Sequence, residues 1–324
     1  MESSFVEKIS QNRSFIMGFS IISIMLFHQQ WINFPPFNAF HIWGHYGVDI
    51  FLFVSGFGLA FSINKYSQIE FYKRRVMRLL PLCIFCGILK YSVYSIWNEH
   101  LHELRNISLL TLFGLDLWFI QTILIFYLLA PYIYKMLIKG HTTTLLSLYF
   151  ICVATSIFFP DVQNNITGSI NRLPAFALGM AFVINQWDIN RRIIYLSMIC
   201  FLLAMLMTVF AIKDIFHLGN DLSMYPLLAL GIPSIVYIIG KIKKKLWKTV
   251  YVTTEYVGNH TLELYLWHEF IYGCIWLTLN GRVNNAMLVI IAFAISFILA
   301  FTSFYVVDYI KIYVIKLIRI KKQS

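Results

Sequence analysis

Charged residues are scarce in this sequence. Asp, Glu, Lys and Arg make up 13% of the 324 residues, whereas a typical soluble protein carries about 25%. Hydrophobic residues make up 59% of the chain, and the mean hydropathy is +0.70. A water-soluble surface is excluded by so little charge, and we expect most helices to face lipid.

The sequence also has few cysteines, no evident internal repeat and no signal-peptide pattern. The five cysteines all fall in apolar segments, and the Cys83-x-x-Cys86 pair has no second pair nearby. We therefore expect ordinary packing there and no metal site. The first apolar stretch lacks the cleavage pattern of a signal peptide. We expect one membrane-embedded domain over residues 1–324, without a separate soluble domain.

Prolines, glycines and charges divide the apolar sequence into runs. A helix needs about 20 apolar residues to cross roughly 30 Å of hydrocarbon. Ten runs meet or approach this length: 14–34, 44–63, 77–97, 116–138, 143–159, 169–186, 192–212, 224–240, 252–279 and 286–310. The pattern predicts an all-α integral membrane protein, a bundle of about ten transmembrane helices.

The formal net charge of +11 is distributed unevenly. Cytoplasmic loops of membrane proteins are enriched in Lys and Arg. With the N-terminus in the cytoplasm, 21 of the 26 Lys and Arg fall on that side, and four, including Arg172, fall in outer loops. We therefore expect both termini in the cytoplasm, a basic cytoplasmic tail over 312–324, and contact with membrane lipids rather than nucleic acid.

His28 is the first candidate for chemistry, because an ionisable group inside a transmembrane helix is costly. It lies about 14 residues into the first run, roughly 21 Å from its cytoplasmic end. A histidine there can accept a proton near neutral pH. It can also serve only as a polar group hydrogen-bonded between helices.

Basic residues open the third run. Arg74 and Arg78 are spaced so that they share a helix face, and Arg75 lies beside them. Guanidinium groups bind phosphate through paired hydrogen bonds. The segment is therefore a candidate site for a phosphorylated cytoplasmic ligand, although anchoring at the membrane surface also predicts basic residues here.

The second and ninth runs carry further ionisable groups. Asp49 lies near the outer start of the second run, where it reaches a polar site or water, and the glycines around it allow close helix packing. Glu263, Tyr265, His268 and Glu269 lie close together in the ninth run. Packing alone explains such a group poorly, so we expect these side chains to face a polar cavity or other helices.

These segments, in this order, resemble the acyltransferase 3 family of membrane O-acyltransferases. The resemblance covers residues 12 to about 272. Its pieces are the histidine closing the first run, Gly-x-x-Gly-Val-Asp-Ile-Phe-x-x-x-Ser-Gly-Phe, Arg-Arg-x-x-Arg-Leu-x-Pro, Asp-Leu-Trp-Phe, Arg-Leu-Pro-x-Phe-x-Leu-Gly and Thr-x-x-Leu-Tyr-Leu-Trp-His.

The resemblance implies transfer of an acyl group, usually acetyl, from cytoplasmic acyl-CoA to a hydroxyl group. The acceptor would be a cell-envelope or secreted glycan or a lipid-linked saccharide, and the location the bacterial cytoplasmic membrane. Acetyl-CoA would be a donor substrate, and no permanently bound cofactor is implied. The resemblance assigns the chemistry to His28 and coenzyme binding to Arg74, Arg75 and Arg78. We expect no C-terminal esterase-like domain of the kind that many relatives carry.

One position departs from the family pattern. The family usually has Arg or Lys eleven residues before the first-run histidine, and this chain has Met17 there. Arg13 lies one turn further towards the cytoplasm. Either Arg13 supplies the missing charge for coenzyme binding, or the site differs from that of the family.

The resemblance leads to a mechanism in which acyl-CoA docks on the arginines. His28 then acts as general base on the acceptor hydroxyl or as a transient acyl carrier. Four further residues are candidates to orient His28 or to stabilise an oxyanion: His268, Tyr265, Glu263 and Asp49. Two other classes stay open. One is a transporter or flippase for an envelope glycan or its lipid-linked precursor, and the other is a structural or sensory membrane partner.

Overall fold

A computed structural model describes residues 4–29, 43–97, 117–158, 165–212, 224–241, 248–279 and 282–321. Every regular element in these ranges is an α-helix, which confirms the all-α prediction for this part of the chain. The helices are α1 (Phe5–Phe27), α2 (Tyr46–Lys65), α3 (Gln68–Trp97), α4 (Trp118–Phe158), α5 (Asn165–Ile184), α6 (Arg191–Ile212), α7 (Met224–Gly240), α8 (Lys248–Asn259), α9 (Thr261–Leu279) and α10 (Asn285–Lys321).

Several of these helices have the length and composition of membrane spans. Five segments qualify within the described ranges: Tyr46–Lys65, Gln68–Val93, Trp118–Thr155, Arg191–Val209 and Asn285–Tyr313. Gly168–Ile184 and Met224–Gly240 are shorter apolar helices. The chain is therefore a multi-pass membrane protein, while ten spans and cytoplasmic termini stay predictions.

Helix boundaries differ from the apolar runs at several points. Helix α1 ends at Phe27, before the run does, and residues 30–42 lie outside the described ranges. The fourth and fifth runs form one helical element, interrupted by extended backbone at Gly140 (φ −169°, ψ 86°). Helix α10 continues to Lys321, through most of the predicted tail.

The ninth run also differs, and the prediction of one helix over 252–279 is wrong. Helix α8 ends at Asn259 and α9 begins at Thr261. Gly and Asn are weak helix formers, and the side-chain oxygen of Asn259 accepts a hydrogen bond from Ser14 Oγ at 2.8 Å. This contact with α1 holds the residue at which the run breaks.

The chain folds as two compact units. The first comprises Met1–Tyr72 and Thr122–Asn259, and the second comprises Lys73–Gln121 and His260–Ser324. In the first unit α1 packs on α2 and α8, α2 packs on α5, and α6 packs on α7. In the second unit α9 packs on α10.

Glycines bring the backbones of α1 and α8 into direct contact in the first unit. A Cβ atom added to Gly18 would lie 1.9 Å from the carbonyl oxygen of Thr254. One added to Gly258 would lie 1.7 Å from the carbonyl oxygen of Ser14. Small residues permit such close approach between helices in membranes. Helix α1, which carries His28, is therefore held by a contact that tolerates no side chain.

We expect Gly258→Ala to destabilise the protein by about 1–3 kcal/mol, because the added methyl group has no room and the two backbones must separate. Thermal unfolding of the purified protein measures the effect. Gly273→Ala is the matched control, since a Cβ atom at Gly273 in α9 meets nothing within 4 Å. Equal melting temperatures for the two variants would contradict this account of the α1–α8 contact.

Helices α2 and α5 meet in the same way. A Cβ atom on Gly56 would lie 2.1 Å from the carbonyl oxygen of Phe176, and one on Gly179 would lie 2.0 Å from that of Phe53. The close packing expected for the second run is thus present. It holds α2 and α5 in a fixed register, which positions the charged residues described below.

Contacts inside the first unit define its two ends. At one end, the backbone N–H of Phe5 donates to Asp188 Oδ1 at 3.0 Å. At the other end, α1 closes against the start of α2, where the rings of Phe27 and His45 are 5.3 Å apart. We call this second end, where α1 stops and α2 starts, the His28 end.

Candidate functional site

His28 stands at the C-terminal cap of α1, where it is half-buried. Its Nδ1 lies 2.9 Å from the carbonyl oxygen of Ile24 in the preceding turn. A carbonyl can only accept, so Nδ1 carries the proton and the neutral ring has its lone pair on Nε2. The helix thus fixes the tautomer in which Nε2 carries the lone pair. The first run predicted that His28 lies inside the helix, but the residue lies at the helix end.

A buried ion pair lies at the His28 end of the first unit. Asp49 in the first turn of α2 is 2% exposed, and Arg172 in α5 is 6% exposed. Arg172 Nε lies 3.6 Å from Asp49 Oδ2. The guanidinium also donates from Nη2 to Tyr225 Oη at 3.0 Å and from Nη1 to the carbonyl oxygen of Gly168 at 3.1 Å. These contacts link α2, α5 and α7.

The Arg172 side chain is held in one orientation. Its Cζ lies 4.4 Å from the centroid of the Tyr225 ring, a distance at which the ring face attracts the cation. The hydrogen bonds and the ring together fix the plane of the guanidinium beside Asp49. The placement of Arg172 in an outer loop is therefore wrong, because the residue lies inside a helix and is buried.

A second polar group lies next to the ion pair. The Tyr46 hydroxyl, at the start of α2, donates to the carbonyl oxygen of Ala204 at 3.0 Å. It also forms a hydrogen bond with Thr208 Oγ1, and both partners belong to α6. Sequence reasoning missed Tyr46 and Thr208, because a tyrosine and a threonine in apolar helices give no signal by themselves.

Arg13 and Met17 lie on α1, nearer to Phe5. Met17 is buried, at 8% exposure. The guanidinium of Arg13 covers the backbone of α2 at Gly58, since a Cβ atom added there would lie 2.5 Å from Nη2. Arg13 stands roughly 22 Å along the helix axis from His28. Its role in coenzyme binding stays a prediction.

His268 occupies a buried position in the second unit. It is 0% exposed, and its Nδ1 lies 3.1 Å from the carbonyl oxygen of Leu264 and 2.9 Å from that of Tyr265. As at His28, these acceptors place the proton on Nδ1 and the lone pair on Nε2. The rings of Tyr265 and Tyr272 lie 5.3 Å and 5.7 Å from the imidazole. Tyr265, His268 and Tyr272 thus form one face of α9.

The opposite face of α9 carries charge. Glu263 is 8% exposed, and its carboxylate interacts electrostatically with Arg78 and Lys311. Lys90 in α3 is 3% exposed, and its Nζ lies 5.9 Å from the centroid of the Phe270 ring. Sequence reasoning did not select Lys90, although a lysine inside an apolar run was the available signal.

The three arginines of α3 also belong to the second unit. Arg74 and Arg78 are exposed and one helical turn apart, and Arg75 is half-buried. Two exposed guanidinium groups at this spacing can contact neighbouring phosphate oxygens. Cys83 and Cys86, deeper in the same helix, are fully buried and free of disulfide bonds.

The predicted site residues are thus divided between the units. The first unit contains His28, Asp49 and Arg13, and it brings His28 and Asp49 to the same end. The second unit contains Arg74, Arg75, Arg78, Glu263, Tyr265 and His268. It places Glu263 within electrostatic reach of Arg78, and His268 beside Tyr265.

Comparison with known proteins bears on the candidate chemistry. Residues 16–305 match the acyltransferase domain of the acyltransferase 3 family. The chain belongs to this family. The match covers most of the chain and includes every candidate residue except Arg13. No curated protein and no solved structure matches the chain.

Family membership confirms the resemblance drawn from the motifs. Because the chain is also a multi-pass membrane protein, it is a membrane acyltransferase. The match gives no support to the transporter alternative.

Proposed function

We propose that this acyltransferase moves an acetyl group from cytoplasmic acetyl-CoA to a hydroxyl group of a cell-envelope or secreted glycan, in the cytoplasmic membrane of a bacterium. The observation that carries the proposal is the hydrogen bond from His28 Nδ1 to the Ile24 carbonyl oxygen. In the resulting tautomer Nε2 carries the lone pair, at the end of a helix within the family's domain. A general base or a nucleophile requires such a nitrogen.

In the acyl transfer, one proton moves and the thioester C–S bond is replaced by an ester C–O bond. As a general base, His28 Nε2 takes the proton of the acceptor hydroxyl while its oxygen attacks the thioester carbonyl. The C–S bond then breaks, and the coenzyme thiolate takes up the proton. As an acyl carrier, Nε2 attacks the thioester carbonyl, the C–S bond breaks and the coenzyme thiolate leaves. In a second step the acceptor oxygen attacks the acetyl carbonyl, the bond from Nε2 to the acetyl group breaks, and the hydroxyl proton neutralises the thiolate. Both routes need the tautomer found at His28.

The donor is proposed to bind through α3. Coenzyme A carries phosphate groups, and charge-assisted hydrogen bonds from arginine to phosphate are among the stronger contacts that proteins make. Arg74 and Arg78 supply two exposed guanidinium groups for these bonds. Their position at the start of an apolar helix agrees with a donor that arrives from the cytoplasm.

Release of free coenzyme A from acetyl-CoA tests the proposal. The protein is purified in detergent or in lipid nanodiscs, and the thiol product is measured with and without an extract of membrane glycolipids and glycans. We expect saturable, acetyl-CoA-dependent release that the extract stimulates. Neither binding of acetyl-CoA nor release of the thiol by folded protein would contradict the proposed function.

A further inference from the structure

One carboxylate oxygen of Asp49, at the His28 end, forms no hydrogen bond with the described residues. The residue is 2% exposed, yet its Oδ2 accepts no hydrogen bond from any residue that the structure describes. The 3.6 Å to Arg172 Nε is an ion-pair distance and is too long for a hydrogen bond. A carboxylate oxygen normally accepts more than one hydrogen bond. Asp49 therefore has acceptor capacity that the described part of the chain leaves unused.

Gln29 shows the same property one residue after His28. Its side chain is 0% exposed, and neither Oε1 nor Nε2 has a hydrogen-bond partner among the described residues. Buried amides are nearly always hydrogen-bonded in folded proteins, because leaving them unbonded costs stability. Gln29 and Asp49, at the same end of the first unit, thus both carry hydrogen-bonding capacity that the described residues leave unused.

The hydrogen-bonding groups of the two side chains limit the class of ligand that they can bind. Asp49 Oδ2 can only accept, whereas the Gln29 amide both donates and accepts. The Asp49 charge is balanced by Arg172, so the pair offers no net charge that would attract a cation or a phosphate. A neutral molecule with several hydroxyl groups matches this set, since each hydroxyl donates one hydrogen bond and accepts others.

We propose that the His28 end of the first unit binds the acceptor, and that Asp49 and Gln29 hold hydroxyl groups of a neutral carbohydrate there. This inference rests on the proposed function and adds the residues that select the acceptor. Arg172 is a positioning residue, which pairs with Asp49 and is itself held by its bonds to Tyr225 and Gly168.

The test separates the acceptor step from the donor step. Purified protein releases coenzyme A from acetyl-CoA while methyl glucoside, methyl galactoside or methyl N-acetylglucosaminide is titrated in. We expect a neutral glycoside to raise release saturably. Asp49→Asn should raise the half-saturating glycoside concentration about tenfold or more, the effect of losing a hydrogen bond to a charged group.

Two further variants distinguish a role in glycoside binding from a purely structural role. Asp49→Asn alone places the buried Arg172 charge beside a neutral amide, and combining it with Arg172→Gln makes the pair neutral. The double variant should therefore have a higher melting temperature than Asp49→Asn and still show weakened glycoside saturation. Gln29→Leu leaves the ion pair intact and should weaken glycoside saturation alone. If the double variant recovers normal saturation, or Asp49→Asn changes release with and without glycoside equally, Asp49 has only a structural role and the proposal fails.

The outcome also separates this inference from the proposed function. A parent protein that releases no coenzyme A contradicts the proposed function itself. A parent protein that releases coenzyme A but responds to none of the neutral glycosides contradicts the acceptor site alone. Saturation by methyl glucuronide at a lower concentration than by methyl glucoside would equally overturn it, since it would show preference for a charged acceptor.

Discussion

Replacing His28 by alanine is expected to lower the rate of acyl transfer by about 10²- to 10⁴-fold, the contribution typical of a positioned acid–base group. The substitution removes the only atoms that carry the proposed chemistry at the end of α1. The α1–α8 contact at Gly18 and Gly258 lies well before this position, so the helix should keep its packing.

Initial rates of coenzyme A release at saturating acetyl-CoA measure the loss, and the melting temperature shows that the variant is folded. His141→Ala is the matched control. His141 is another half-buried histidine, whose ring packs against Trp187 at 5.3 Å. It should retain parental rates, whereas a His28→Ala protein with the parental rate would remove His28 from the mechanism.

Replacing Arg74 and Arg78 together by glutamine is expected to raise KM for acetyl-CoA by about 10- to 100-fold, with a smaller effect on kcat. Charge-assisted hydrogen bonds to phosphate are each worth about 1.5–3 kcal/mol, and exposure to solvent reduces this at the start of α3. The phosphates are remote from the thioester, so their contacts act on binding more than on the chemical step.

KM and kcat of the double variant are measured by varying the acetyl-CoA concentration. The control is a second double variant, in which Arg191 and Arg192 are both replaced by glutamine. Arg191 and Arg192 are exposed at the start of α6 and are assigned to the same side of the membrane. The control thus removes the same charge from that side without touching α3. An equal rise in KM for both double variants would mean that bulk charge, not a coenzyme site, attracts the donor.

The fold class followed from composition because a chain with so little charge has few ways to fold. Within a bilayer, backbone groups must bond to each other, so long apolar runs predict helices. The described residues agree, down to the close approach of α2 and α5 at Gly56. Helix ends were less predictable. The first and ninth predicted runs extend beyond Phe27 and Asn259, whereas the helices end there, at a cap and at a contact with Ser14.

The candidate site was predictable only where a residue type is costly in a membrane. Ionisable groups in membrane helices are costly and usually have a function. This argument selected His28, Asp49, Glu263 and His268. The Asp49–Arg172 pair was not foreseen, since the two residues are distant in the chain and meet only through the α2–α5 packing. Gln29 was missed because an uncharged amide at a helix end gives no signal until its burial and bonding are known.

The O-acetyl content of surface and secreted glycans tests the central claim most directly. It is measured by NMR in cells that lack the gene and in the same cells carrying the parental gene or the His28→Ala variant. We predict that one O-acetyl signal disappears without the gene, returns with the parental gene and stays absent with His28→Ala. Unchanged O-acetylation of every glycan fraction in cells without the gene would contradict the account.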